Sequence, residues 1–96
     1  LSPDDPGARS MLGESLLEAG RPAEALTHFE HGLRVQPAQA AALHTSIGHC
    51  QVRLGRAALA IQHYEAALRL NPDDAEAEKY LALVRATVER RGLLKK

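Results

Sequence analysis

The sequence predicts an all-α protein, a stack of antiparallel helix hairpins with five helices. Three observations lead there. Residues 20–37, GRPAEALTHFEHGLRVQP, recur thirty-five positions later as GRAALAIQHYEAALRLNP at 55–72, with nine of the eighteen identical. A period of that length marks a supersecondary unit that cannot bury its apolar face alone and stacks on copies of itself. Breakers punctuate the chain at Pro3/Pro6-Gly7, Gly20-Arg21-Pro22, Pro37, Gly55, Pro72 and Gly92, and between them apolar residues return every three or four positions. Alanine and leucine abound while Phe29, Tyr64 and Tyr80 are the only aromatics, which favours helices meeting through small residues over a sheet.

The helical segments follow in order. The first, about 7–19, sets Leu12, Leu16 and Leu17 with Ala8 and Ala19 on one side. The second, about 22–35, opens with Pro22 in the first turn, where no N–H is needed, and aligns Ala25, Leu26, Phe29 and Leu33 before Pro37 stops it. The third, about 40–54, carries Leu43, Ile47, Cys50 or Gln51, and Leu54, with Gly55 as C-terminal cap. The fourth, about 57–70, repeats the second through Ala60, Ile61, Tyr64, Ala67 and Leu68. The fifth, about 74–91, begins with an Asp-capped turn, aligns Ala77, Tyr80 or Leu81, Val84 and Val88, and ends in a Gly92-Leu93 cap. Connections of two or three residues force consecutive helices to run antiparallel and in contact.

Composition narrows the function classes. Ninety-six residues make a single domain, and twelve basic against twelve acidic side chains leave no net field to draw in nucleic acid or an anionic membrane. One cysteine, Cys50, cannot form an internal disulfide, which points to a reducing, cytoplasmic setting. No apolar run reaches the length of a membrane span, and no signal-peptide pattern opens the chain. Nine arginines against three lysines, with the high alanine content, hint at a GC-rich bacterial genome.

These landmarks resemble the tetratricopeptide repeat (TPR) family: a Leu-Gly pair, a bulky residue, a Gly turn, then Ala, an aromatic, a small residue and a closing Pro. The first repeat has them at Leu12-Gly13, Leu16, Gly20, Ala25, Phe29, Gly32 and Pro37; the second at Ile47-Gly48, Gly55, Ala60, Tyr64, Ala67 and Pro72. The resemblance implies two and a half repeats in a right-handed superhelical stack: repeat 1 at about 4–37, repeat 2 at about 38–72, a capping helix at about 73–91 and a basic tail at 92–96. Small residues at Gly13, Ala25 and Gly32, and at Gly48, Ala60 and Ala67, let backbones approach at the crossings while Phe29 and Tyr64 fill the adjoining gap.

The chain also departs from the family pattern. Arg9 stands where the first repeat's leading aromatic belongs, and Leu43 or His44 in the second; Gln51 replaces an apolar residue. The turn PAQAAAL makes the second repeat one residue longer, which leaves the register of its first helix open by one. The fifth helix becomes charged at its end, as a cap with a polar outer face would. Leu1-Ser2-Pro3 mimics Val35-Gln36-Pro37 and Leu70-Asn71-Pro72, so the expectation is a segment of a longer protein, or an N-terminal face covered by a partner or a second copy.

Residues that invite a chemical reading fit structural roles instead. His28 and His31 lie one turn apart, but no third ligand is fixed beside them, so no metal is expected; His63 is the repeat equivalent of His28. His44 and His49, five apart, do not share a helix face. Cys50 lacks the base and electropositive setting of a catalytic thiol. Asp4-Asp5 and Asp73-Asp74 each follow a proline and precede a helix, where carboxylates cap the N-terminus. Phosphate loop, nucleophile elbow and zinc motif are absent from the sequence, so no catalytic residue and no cofactor is expected. The basic terminal stretch is diluted by Glu76, Glu78 and Glu89, and a solvated capping face explains it better than nucleic acid or lipid binding.

The resemblance implies a non-enzymatic protein-interaction module, or alternatively a structural or oligomerising segment of a larger assembly. In the family the first helix of each hairpin lines a concave groove that holds a peptide. The groove candidates here are Ser10, Glu14 and Leu17 on the first helix, Thr45, Ser46, His49, Val52 and Arg53 on the third, and Lys79 and Leu83 on the fifth. The subclass that grips the C-terminal carboxylate of heat-shock chaperones needs Lys and Asn on the first helix, Asn on the third, and Lys and Arg on the fifth, where this chain has Ser10, Glu14, Ser46, Glu76 and Tyr80, which excludes it. The expected ligand combines an apolar anchor for Leu17, Val52 and Leu83 with a polar partner for Glu14 or Arg53.

Overall fold

A computed structural model describes residues 6–92. It contains α1 (Pro6–Glu18), α2 (Pro22–Val35), a 3-10 turn (Pro37–Gln39), α3 (Ala40–Arg53), α4 (Ala57–Leu70) and α5 (Ala75–Arg91), with no strand among the described residues. Each helix packs on the next, and α3 also touches α5, in an elongated body of 47 × 28 × 19 Å.

The hairpin turns are set by glycine. Gly20 and Gly55 have φ of 82° and 75°, a left-handed conformation that a side chain opposes, and the chain reverses there within three residues. Pro22 occupies the first turn of α2, where an N–H has no helical partner in any case. Asp74 caps α5, its side chain accepting from the Ala77 N–H at 3.0 Å. Gly92 ends α5 in the left-handed region; Leu93, the tail to 96 and the Asp4-Asp5 pair lie outside the described residues.

Two apolar clusters lie side by side in place of one central core. Phe29, Leu43, Ile47 and Cys50 with Ala25 and Leu26 form the first, between α2 and α3; Tyr64, Ala60, Ala67, Ala77, Leu81 and Val88 form the second, between α4 and α5. Phe29 and Tyr64 anchor them, 1% and 0% exposed, and each such burial removes enough apolar surface for about 1.5 to 3 kcal/mol. Both rings lie against a glycine of the preceding helix: Gly13 faces Phe29 and Gly48 faces Tyr64. That pairing resolves the register of α3, because the extra residue of PAQAAAL is taken up in the 3-10 turn and Gly48 still meets its aromatic.

Four readings of the helix faces need correction or completion. Leu12 lies on the apolar stripe of α1 yet is 47% exposed, because no described helix packs on the face it shares with Met11, and Ala19 lies exposed beyond the end of the helix. Leu16 and Leu17 pack α1 against the core, beside the close approach of Gly13 to Phe29. On α3 both Cys50 and Gln51 are buried, and the Gln51 amide oxygen accepts from Arg56 Nη1 at 3.5 Å. On α5 Leu81 is buried and Tyr80 turns outward.

Candidate functional site

Helices α1, α3 and α5 share one side of the stack, and an open furrow runs along it. At one end Ser10, Glu14 and Ser46 border a depression of ≈ 330 Å³. Next comes a depression of ≈ 390 Å³ between Glu14, Leu17 and Glu18 of α1, Ser46 and His49 of α3, and Asp74 and Glu76 at the start of α5. Leu17, Glu18, His49 and Glu76 carry it on to Val52, Arg53 and Tyr80. Val52 and Tyr80 then open on a largely apolar depression with Leu83, Val84 and Thr87. Adjacent depressions share wall residues, so the furrow is continuous.

The ten residues singled out in the sequence distribute as follows. Ser10, Glu14, Leu17, Ser46, His49, Val52, Arg53 and Leu83 border the furrow, with Val52 and Leu83 41% and 52% exposed. Thr45 also lines the central depression, from its floor: it is buried, and its hydroxyl donates to Asp74 Oδ2 at 2.9 Å. Lys79 stands beside the furrow with its ammonium 5.6 Å from the centre of the Tyr80 ring. Asp74 therefore has two tasks, capping α5 with one oxygen and tying α5 to α3 with the other, which sets the distance between the walls.

A polar network sits at the middle of the floor. His49 Nδ1 lies 2.6 Å from the Tyr64 hydroxyl and its Nε2 lies 2.7 Å from Glu76 Oε2. A neutral imidazole protonated on Nε2 satisfies both: it donates to the carboxylate and accepts from the phenol. Burial, helped by nearby Tyr80 and Glu76, pushes the Tyr64 hydroxyl above its ordinary pKa, so it remains a donor. The His49 ring also packs edge-on against Tyr80, centroids 4.8 Å apart, with Tyr64 stacked beyond. Glu18 and Asp74 were not among the groove residues expected from the sequence, and Glu76 and Tyr80 entered only as the residues at the clamp positions of the heat-shock-binding subclass. Their helical register placed Glu18 one turn beyond Glu14, which was the available signal.

A second histidine contact lies away from the furrow. His44 and His63 stack at 5.4 Å with Nδ1 atoms 3.1 Å apart, so one ring donates to the other. Burial lowers the pKa of both, with Arg69 adding to the effect at His44, and at His63 the neighbouring His44 adding to it while Glu30 opposes it. His44 thus fills the place of the aromatic missing from the start of the second repeat. His28 and His31 are half-buried, and the His28 Nδ1 has no hydrogen-bond partner among the described residues. Among those residues no three His, Cys, Asp or Glu side chains converge on a metal position. Cys50 is fully buried and burial raises its pKa to about 11, the opposite of what a nucleophile requires.

Helix hairpins of constant length, small residues at each crossing and a furrow on one side define a helical-repeat protein. The family model described as tetratricopeptide repeat matches residues 10–75 and 45–87, and the chain belongs to that family. Its members are in general non-enzymatic and mediate protein–protein interaction. Among curated proteins no match was found. No described helix is long and apolar enough to cross a membrane.

Proposed function

We propose that this chain is a non-enzymatic interaction module that holds a peptide or protein partner in the furrow of α1, α3 and α5. The observation that supports it is the continuity of that furrow with exposed Val52 of α3 and Tyr80 and Leu83 of α5, large apolar side chains grouped at one end of it. Grouped apolar surface bounded by polar residues is the composition of a docking site. No catalysis enters this reading. Val52→Asp and Leu83→Asp should release proteins that co-purify with the chain, whereas Thr27→Asp on exposed α2 surface should retain them. Release by the α2 variant and retention by the groove variants would sink the proposal.

A second reading, a structural or self-associating repeat segment, is favoured by one observation. Leu12 and Met11 are 47% and 68% exposed, whereas Ile47 and Leu81, the equivalents of Leu12 on α3 and α5, are covered by the preceding helix. Sedimentation over a concentration series tests it. A monomer at high concentration removes self-association through α1, and a Leu12-dependent dimer supports it.

A further inference from the structure

The charges along the furrow are not those of the chain as a whole. The protein is electrically balanced, yet among the described residues the walls of the three polar depressions carry Glu14, Glu18, Asp74 and Glu76 against Arg53, with Lys79 beside Tyr80 and Arg91 at the far apolar end. Glu14 and Glu18 stand one turn apart on α1, where like charges disfavour each other. Neither has a hydrogen bond or ion pair among the described residues. On the outward helices Glu24 and Glu65 carry arginine partners, Arg21 and Arg85, while Glu30 has none among the described residues. Glu76 is held in place by His49, which presents its carboxylate from the opposite wall. Past Val52 the furrow changes character, and Tyr80, Leu83 and Val84 make its wall apolar.

We infer that the furrow selects a basic segment of its protein partner: a lysine or arginine seated between Glu14, Glu18 and Glu76, followed by aliphatic residues over Tyr80 and Leu83. This rests on the reading of the furrow as a partner-binding groove and adds the chemistry of the occupant. A cation there relieves the repulsion between Glu14 and Glu18 and meets Glu76 across the gap, while the aliphatic residues cover the apolar surface that water otherwise contacts. An acidic partner faces the carboxylates of Glu14, Glu18 and Glu76 and is rejected by repulsion.

A displayed library of random short peptides, selected on this chain and mapped by amide shift perturbation, tests both levels. The expected result is a consensus with Lys or Arg beside aliphatic residues, perturbing Glu14, Glu18, His49 and Leu83. Its affinity should fall as salt rises and be about three- to tenfold weaker on Glu14→Gln/Glu18→Gln, which keeps the native melting temperature because both side chains are exposed. Selection on Glu14→Lys/Glu18→Lys should turn the consensus acidic. A groove-bound consensus that is neutral or acidic on the native chain overturns the inference and leaves the groove reading standing. Ligands that map elsewhere, or a selection that yields none, overturn both.

Discussion

The ring of Tyr64 lies so close to Gly48 that a Cβ at that position would fall 2.6 Å from Tyr64 Cε1. Neither partner can yield: Tyr64 is fully buried and its hydroxyl is held by His49, and Gly48 sits inside α3 at the crossing with α4. Gly48→Ala should destabilise by about 1 to 3 kcal/mol through overpacking, outweighing the ~1 kcal/mol that alanine gains over glycine in a helix. At Gly32 the new Cβ would meet the side-chain tip of Leu43, at 3.3 Å, which can shift by a rotamer adjustment, and Ser10 Oγ at an ordinary 3.8 Å. Gly32→Ala should therefore be close to neutral. Urea midpoints of the two variants check the contrast, and equal effects would contradict it.

Asp74 joins α5 to α3 as well as capping it. Asp74→Ala removes the acceptor of the Ala77 N–H and leaves the buried Thr45 hydroxyl without its 2.9 Å partner. The loss should reach about 1 to 2 kcal/mol, the upper part of the range for a helix cap. Thr45→Val in the Asp74→Ala background should cost little more, because the interaction is already gone. A double-mutant cycle with additive effects would show that the two residues are not coupled.

Acid should destabilise the fold through the His44–His63 contact. In the folded chain both imidazoles titrate below the ordinary value of 6.5, so between that value and the lower folded ones the unfolded chain binds more protons. The stabilisation is present above pH 6.5 and is lost as pH falls through the folded values. Arg69 facing His44 works in the same direction, while Glu30 near His63 opposes it. Melting temperatures should drop on acidification from neutral pH, and His44→Gln/His63→Gln should flatten that dependence. An unchanged slope in the double variant would refute this origin.

Cys50 should be chemically silent in the native protein. It is 0% exposed, and burial raises its thiol pKa to about 11, so little thiolate forms at mildly alkaline pH. Iodoacetamide should label it only after urea unfolds the chain. Rapid labelling of the native state would mean that the α2–α3 cluster opens readily.

The helix-hairpin stack was legible in the residues because its determinants are local. Gly20 and Gly55 permit the left-handed turns wherever the chain needs them, Pro22 suits a first helical turn, and a period of three to four marks the apolar side of each helix. The crossings were legible as well, since Gly13 with Phe29 and Gly48 with Tyr64 recur at one spacing. The furrow was legible in outline, because helical register puts Ser10, Glu14 and Leu17, or His49, Val52 and Arg53, along connected faces.

Contacts between helices were not legible, because they depend on crossing geometry that no periodicity encodes. Thr45 and Asp74 are 29 positions apart and His49 and Glu76 are 27 apart, yet packing of α3 against α5 brings both pairs into hydrogen-bond range. The same packing turned Thr45 inward and Tyr80 outward. Leu12 marks the boundary between the two kinds of information. Its place on the apolar stripe is a property of the helix, but whether a stripe is covered depends on a neighbouring surface, and no described helix supplies one for α1 on that side.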